Sequence, residues 1–249
     1  MRVLVEACVD AIDAALEAER GGANRIELCG ELLQGGVTPS AGLIGAVWES
    51  VDVPVFVLIR PRAGDFLYTD AETDVMLRDI ATARSLDAEG VVFGALTSHG
   101  DIDVGTVARL VEAAGPMQVT FHRAFDFARD RRLALETLIE LGVDRILTSG
   151  GAHSAIDGAG ELRELVQAAA GRIAILAGGG ISAQNAAEVV RRSGVKEVHV
   201  RAAVMHESGM EYRPSGLSLA RRAPGPYERS VLSGDELGEV VKVLASAEG

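Results

Sequence analysis

Five consecutive residues, His122-Arg123-Ala124-Phe125-Asp126, close a short apolar run that begins at Met117. They set an acid/base group, a cation and a carboxylate side by side. Histidine titrates near neutrality, so His122 is a candidate proton carrier, and a carboxylate such as Asp126 beside it would raise its pKa and orient it. Arg60-Pro61-Arg62, with Asp65 close behind, holds two guanidiniums on a stiff proline. That suits an anion clamp for a carboxylate or phosphate, or equally an ion pair to Glu6 or Glu27. Gly178-Gly179-Gly180 is followed by Ile181-Ser182 and a helical pattern, so a ligand could approach backbone N–H groups at a positive helix end. The same glycines would also serve a tight turn. The two cysteines, Cys8 and Cys29, are soft ligands that suit Cu(I) or Zn(II). No CxxC or HxxxH spacing accompanies them, so a metal site would have to be assembled across strands. Two buried apolar thiols account for them as well.

Eight short strand-like runs position these groups: Val3–Val9, Arg25–Cys29, Val55–Ile59, Gly90–Gly94, Met117–His122, Arg145–Thr148, Ile173–Ala177 and Glu197–Val200. Helical patterns lie between them, with start signals at Asp10, Ser40, Asp103, Asp130, Ser182 and Ser233. Strict alternation of apolar strands and helices predicts a parallel sheet covered by helices. Eight units in 249 residues predict an α/β fold, a single closed (β/α)8 TIM barrel that fills residues 1–249 as one domain. A long loop over 201–232 follows strand eight, and a last helix runs from about 234 to 247. Helix-to-strand connections are short, whereas those from strand to helix are long after strands two, three and eight. In a barrel these long loops share the end where sites are found.

Side chains alternate along a strand. An all-apolar face of Val3, Val5, Ala7 and Val9 should meet the helices, which turns Glu6 and Cys8 into the barrel. The same parity sends Glu27 and Cys29, Arg60, Thr120 and His122, and Glu197 and His199 inward. Buried charges must be paired or liganded, and Glu6 and Glu27 near Arg60 and Arg62 would meet that need. An ion-pair network that merely fills the lumen is the competing reading.

The composition narrows the function classes. A net charge of −12 repels phosphate backbones and argues against nucleic acid. No basic amphipathic face suits a membrane surface, and Glu6 and Asp10 interrupt the apolar start. The expected compartment is the cytoplasm, with Cys8 and Cys29 as thiols. Exposed barrel helices can support a homo-oligomer, but no stripe decides it.

Several motifs carry a resemblance: VEACVD at 5–10, GANRIELC at 22–29, GGVTPS at 35–40, IRPRAGDFLY at 59–68, VTFHRAFD at 119–126, RILTSGG at 145–151, AGGGI at 177–181 and EVH at 197–199. In order and without a large gap over about the first 215 residues, they resemble the CutC family of copper homeostasis proteins. The resemblance implies a cytoplasmic (β/α)8 barrel with a role in copper tolerance and Cu(I) binding by thiols, Cys29 first and Cys8 second. The chain departs from the family pattern at Val200-Arg201. Two functions stay open at this point. One is a copper-binding homeostasis protein. The other is an enzyme acting on a small anionic metabolite, with Glu6, Glu27, His122, Asp126 and His199 as acid/base groups. In it Arg60, Arg62, Asp65, Arg123 and Gly178 to Gly180 would hold the anion.

Overall fold

The computed structural model describes residues 3–214, 216 and 225–247. Eight strands form a closed parallel barrel: β1 (Leu4–Val9), β2 (Arg25–Leu28), β3 (Val55–Leu58), β4 (Gly90–Phe93), β5 (Gln118–Phe121), β6 (Arg145–Thr148), β7 (Ala174–Gly178) and β8 (Glu197–Val200). Each pairs with its sequence neighbour, and β1 pairs with β8 to shut the ring. The intervening helices are α1 (Ile12–Arg20), α2 (Ala41–Trp48), α3 (Asp70–Ser85), α4 (Val104–Ala114), α5 (Arg131–Glu140), α6 (Ala159–Ala169) and α7 (Ala186–Ser193). The chain folds as the (β/α)8 barrel that its alternation predicts.

Helix starts follow local chemistry. The side chains of Ser40, Asp103, Asp130 and Ser233 each accept a hydrogen bond from an N–H in the first turn of α2, α4, α5 and α8 (Gly234–Ser246) respectively. Thr69 and Glu72 form a reciprocal capping box on α3. Asp10 does not cap α1, which begins behind Ala11 with no side-chain cap. Its acidic start signal lies one residue too early, where the chain still leaves the barrel mouth.

Strand parity sorts the interior into two compartments. Val5, Ala7, Val9, Ile26, Leu28, Val57, Ile59, Val91 and Phe93 belong to the main core between barrel and helices. Cys8, Cys29, Phe56, Leu58 and Val92 form a separate apolar cluster inside the lumen. Phe56 fills the lower lumen because Gly90 faces it: a Cβ there would lie 2.6 Å from its ring. The segment after β8 is not plain loop. It holds an antiparallel hairpin of β9 (Ala203–Glu207) and β10 (Glu228–Leu232), and α8 then packs against α1 and α7. The rest of the expected 201–232 loop, at 215 and 217–224, lies outside the described residues, as do 248 and 249. No helix among the described residues is long and apolar enough to cross a membrane.

Candidate functional site

The lumen is layered by register. Near its base, Arg25 on β2 and Arg145 on β6 both reach Glu197 on β8, at 2.8 and 2.6 Å. Arg25 also donates to Glu6 on β1 at 2.5 Å. Both guanidiniums lie over the Phe56 ring, 4.9 and 5.5 Å from its centroid. One layer up, His199 Nδ1 lies 2.7 Å from Glu6, and its Nε2 lies 3.7 Å from Glu27. At the top, Cys8 Sγ stands 3.7 Å from Cys29 Sγ, and both sulfurs lie within 3.6 Å of Glu27 Oε2. Every member of this column except Glu197 and His199, which are slightly open, is buried.

Charge distributes along the column in a definite way. Burial disfavours the Glu6 carboxylate, but Arg25 and then His199 overcome it and hold its pKa at about 2. Burial, reinforced by the negative Cys8, drives Glu27 well above the usual carboxylate range. The hydrogen bond from Cys29 lowers the Cys8 thiol, against the cost of burial and with help from His199, while the same bond raises Cys29. Burial opposes the charge on His199, yet Glu27, Cys8 and Glu6 together raise its pKa well above neutrality. These groups titrate together: the contacts favour charge on Cys8 and His199 and disfavour it on Cys29 and Glu27.

The Glu6 shift has a thermodynamic consequence. A carboxyl depressed from 4.5 to about 2 adds stability that is fully present above pH 4.5 and lost as pH falls toward 2. The loss is on the order of 3 kcal/mol for this one group. Chemical denaturation of the wild type across pH 2 to 6 should show that decline. Glu6→Gln should be less stable at neutral pH and flatter across the same window, and parallel curves for the two proteins would contradict it.

The column opens into a cavity of about 480 Å³ at the carboxyl ends of the strands. Cys8, Glu27, Cys29, Arg60, His122, Arg123, Gly179, Gly180 and His199 all line it, so one pocket gathers most of the predicted site residues. Gly178, just below, lies in β7, where a Cβ would strike Leu147 at 2.5 Å. Gly36 supports the wall from behind: its φ is +83° and a Cβ would sit 2.6 Å from Leu58 and 3.5 Å from Cys29.

Other predicted pairings differ. Arg60 does not meet Glu6 or Glu27. Its guanidinium donates to the carbonyls of Gly36, Gln34 and Gly64, because the loop after β2 wraps over it. Arg62 turns away from the lumen to Glu72 of α3 and to Asp65, so neither Arg62 nor Asp65 reaches the cavity lining. Asp126 does not orient His122. It accepts from Arg123, Thr148 and the Ser149 and Gly151 backbone, tying the end of β5 to the loop after β6. Among the described residues no carboxylate raises His122: burial, helped by the charge on Arg60, lowers its pKa to about 3. Arg25 and Arg145 are lumen cations that the sequence expectations do not include, although Arg25 shares the face of Glu27 and Arg145 opens β6.

The profile of the CutC family matches residues 3–204. The chain belongs to the CutC family. Its relatives include the copper homeostasis protein cutC homolog of Mus musculus, 49% identical over 216 residues that cover 87% of this chain and 79% of that protein. The Homo sapiens counterpart is 48% identical over the same coverage. A CutC family protein of Bacteroides fragilis is 43% identical over 98% of both chains. The crystal structure of a Streptococcus agalactiae CutC protein superposes with a TM-score of 0.76 at 34% identity, covering 79% of this chain and 97% of that one. Thiamine phosphate pyrophosphorylase from Pyrococcus furiosus, at 17% identity and a TM-score of 0.61 over 99% of this chain and 98% of that one, shares the barrel alone. In this member of the family the lumen stacks two thiols beneath its mouth.

Proposed function

We propose that this chain is a cytoplasmic copper homeostasis protein that binds Cu(I) as cargo between Cys8 and Cys29. The observation that carries the reading is the buried triad of Cys8, Glu27 and Cys29, whose ligand atoms all lie within 4.8 Å of one another. A metal–thiolate bond is about 2.3 Å long. Two sulfurs 3.7 Å apart therefore straddle a bent two-coordinate ion, and they need to part by less than about 1 Å to make it linear. Soft thiolates select Cu(I), whereas structural zinc asks for four N or S ligands. Here the third group is a single carboxyl, a hard oxygen donor, and the nearby imidazole is engaged by Glu6. Two close free thiols also suit a reducing compartment.

An enzymatic reading built on acid/base chemistry finds less support. His122 stays neutral at working pH, and Asp126 is committed to the loop after β6. Titration of the reduced protein with Cu(I) against a competing Cu(I) chelator tests the proposal. One equivalent should be retained in preference to Zn(II). Failure to hold any Cu(I) against a weak chelator would remove the reading.

A further inference from the structure

The cavity is far larger than a copper ion needs, and its upper wall holds charge and donors that the thiol site does not use. Arg60 is 94% buried, since 6% of its surface is exposed, yet among the described residues no carboxylate pairs with it. Its terminal nitrogens reach only neutral carbonyls, at 2.7 Å to Gly36 and Gly64, and its Nε–H has no acceptor. The Tyr68 hydroxyl approaches without a well-formed bond and carries no charge to offset it. A buried guanidinium with no counter-charge is costly, which sets it apart from Arg25 and Arg145 below.

His122 repeats the pattern. Its Nδ1 accepts from the Ala124 N–H at 3.2 Å, so the ring proton sits on Nε2, and Nε2 is buried without a partner. Phe66 covers both residues: its ring lies 5.2 Å from the Arg60 guanidinium and 4.9 Å from the His122 ring. Phe66 in turn packs on Phe127, which is largely exposed at the mouth. Two unpartnered N–H donors, one beside an uncompensated positive charge, thus stand behind an aromatic ring at the cavity wall.

We propose that this cavity binds a small organic carboxylate, its two oxygens received by Arg60 Nε–H and His122 Nε2–H once the Phe66 ring swings aside. Two donors and one positive charge match a carboxylate in number and sign. A phosphate dianion asks for more donors than these two, and the other cations of the cavity lining, Arg123 and Arg201, already donate to Asp126 and Ser149 and to Ser230. The body of the ligand lies against Leu58, Phe127 and Ile181, which also line the cavity. The site shares the cavity with the thiol pair but uses neither sulfur, so it does not depend on copper.

The test uses metal-free, reduced protein and three probes: butyrate, succinate and inorganic phosphate. The His122 Nε2–H resonance is followed by imidazole ¹H–¹⁵N correlation, with Tm in parallel. The carboxylates should move that resonance saturably, with a Kd of about 1 mM or tighter for the better of the two, and raise Tm. Phosphate should bind more weakly than both. Arg60→Gln should weaken carboxylate binding by at least about tenfold. A resonance that neither carboxylate moves, phosphate binding as tightly as they do, or wild-type affinity in Arg60→Gln would each overturn the proposal. If Arg60→Gln does not fold, the wild-type titration decides alone, because Arg60 then serves the loops and the resonance still reports the ligand.

Discussion

Cys29→Ser should weaken Cu(I) binding by more than about a hundredfold, with the fold intact. Groups that merely orient a metal ligand are worth 10 to 100-fold in affinity, so the loss of one of two thiolates must exceed about that range. A serine oxygen is a hard donor and cannot replace a soft sulfur for Cu(I). The substitution is nearly isosteric, and Glu27 Oε2, 3.6 Å from Cys29 Sγ, can still take a hydrogen bond from the hydroxyl. The barrel should therefore unfold at close to the wild-type denaturant midpoint. Cys8→Ser should do the same to copper and should also lower the Glu27 pKa, which burial raises and the negative sulfur raises further. Chelator competition on each variant measures the effect. Unchanged affinity in either one would remove that thiol from the site.

Arg25→Ala should destabilise the barrel by about 3–5 kcal/mol, the range for breaking a buried ion pair by deleting one partner. Arg25 bridges Glu6 and Glu197 in the lumen and covers the Phe56 face. Without it, among the described residues, Glu6 keeps only His199 and Glu197 keeps only Arg145. Arg25→Met restores the packing but not the charge, so it should recover only part of the loss. Urea denaturation at neutral pH checks both. A loss under about 1 kcal/mol in Arg25→Ala would mean that water or rearrangement satisfies the two acids. Since Glu6 also holds His199, which faces Cys8, the same variant should perturb the thiol layer from two layers below.

Strand parity made the lumen legible. The all-apolar face of Val5, Ala7 and Val9 decided where Glu6 and Cys8 point, and the same logic turned Glu27, Cys29, His122 and His199 toward one cavity. Parity fails where strands end. Beyond Ile59 the chain turns, so Arg62 swings out to Glu72 while Arg60 stays inside. Beyond His122 a 3-10 turn over Arg123–Phe127 carries Asp126 toward β6 instead of leaving it beside the imidazole. The partners of Arg60 are backbone carbonyls, which no residue type announces. The β9–β10 hairpin is hidden in the sequence because β9 is exposed throughout and β10 is buried only toward Leu232, so neither five-residue strand carries a clear apolar alternation. Arg25 and Arg145 are less legible as lumen cations because each stands at the start of its strand, and their counter-charge Glu197 comes from β8, far away in sequence.

The central claim is that two sulfurs from neighbouring strands hold the copper. X-ray absorption at the copper edge, on reduced protein loaded with one equivalent of Cu(I), reads that shell directly. Two sulfur neighbours at about 2.3 Å, replaced by oxygen or nitrogen in a Cys8→Ser, Cys29→Ser double variant, are the predicted result. A shell of nitrogen and oxygen alone in the wild type would contradict the account.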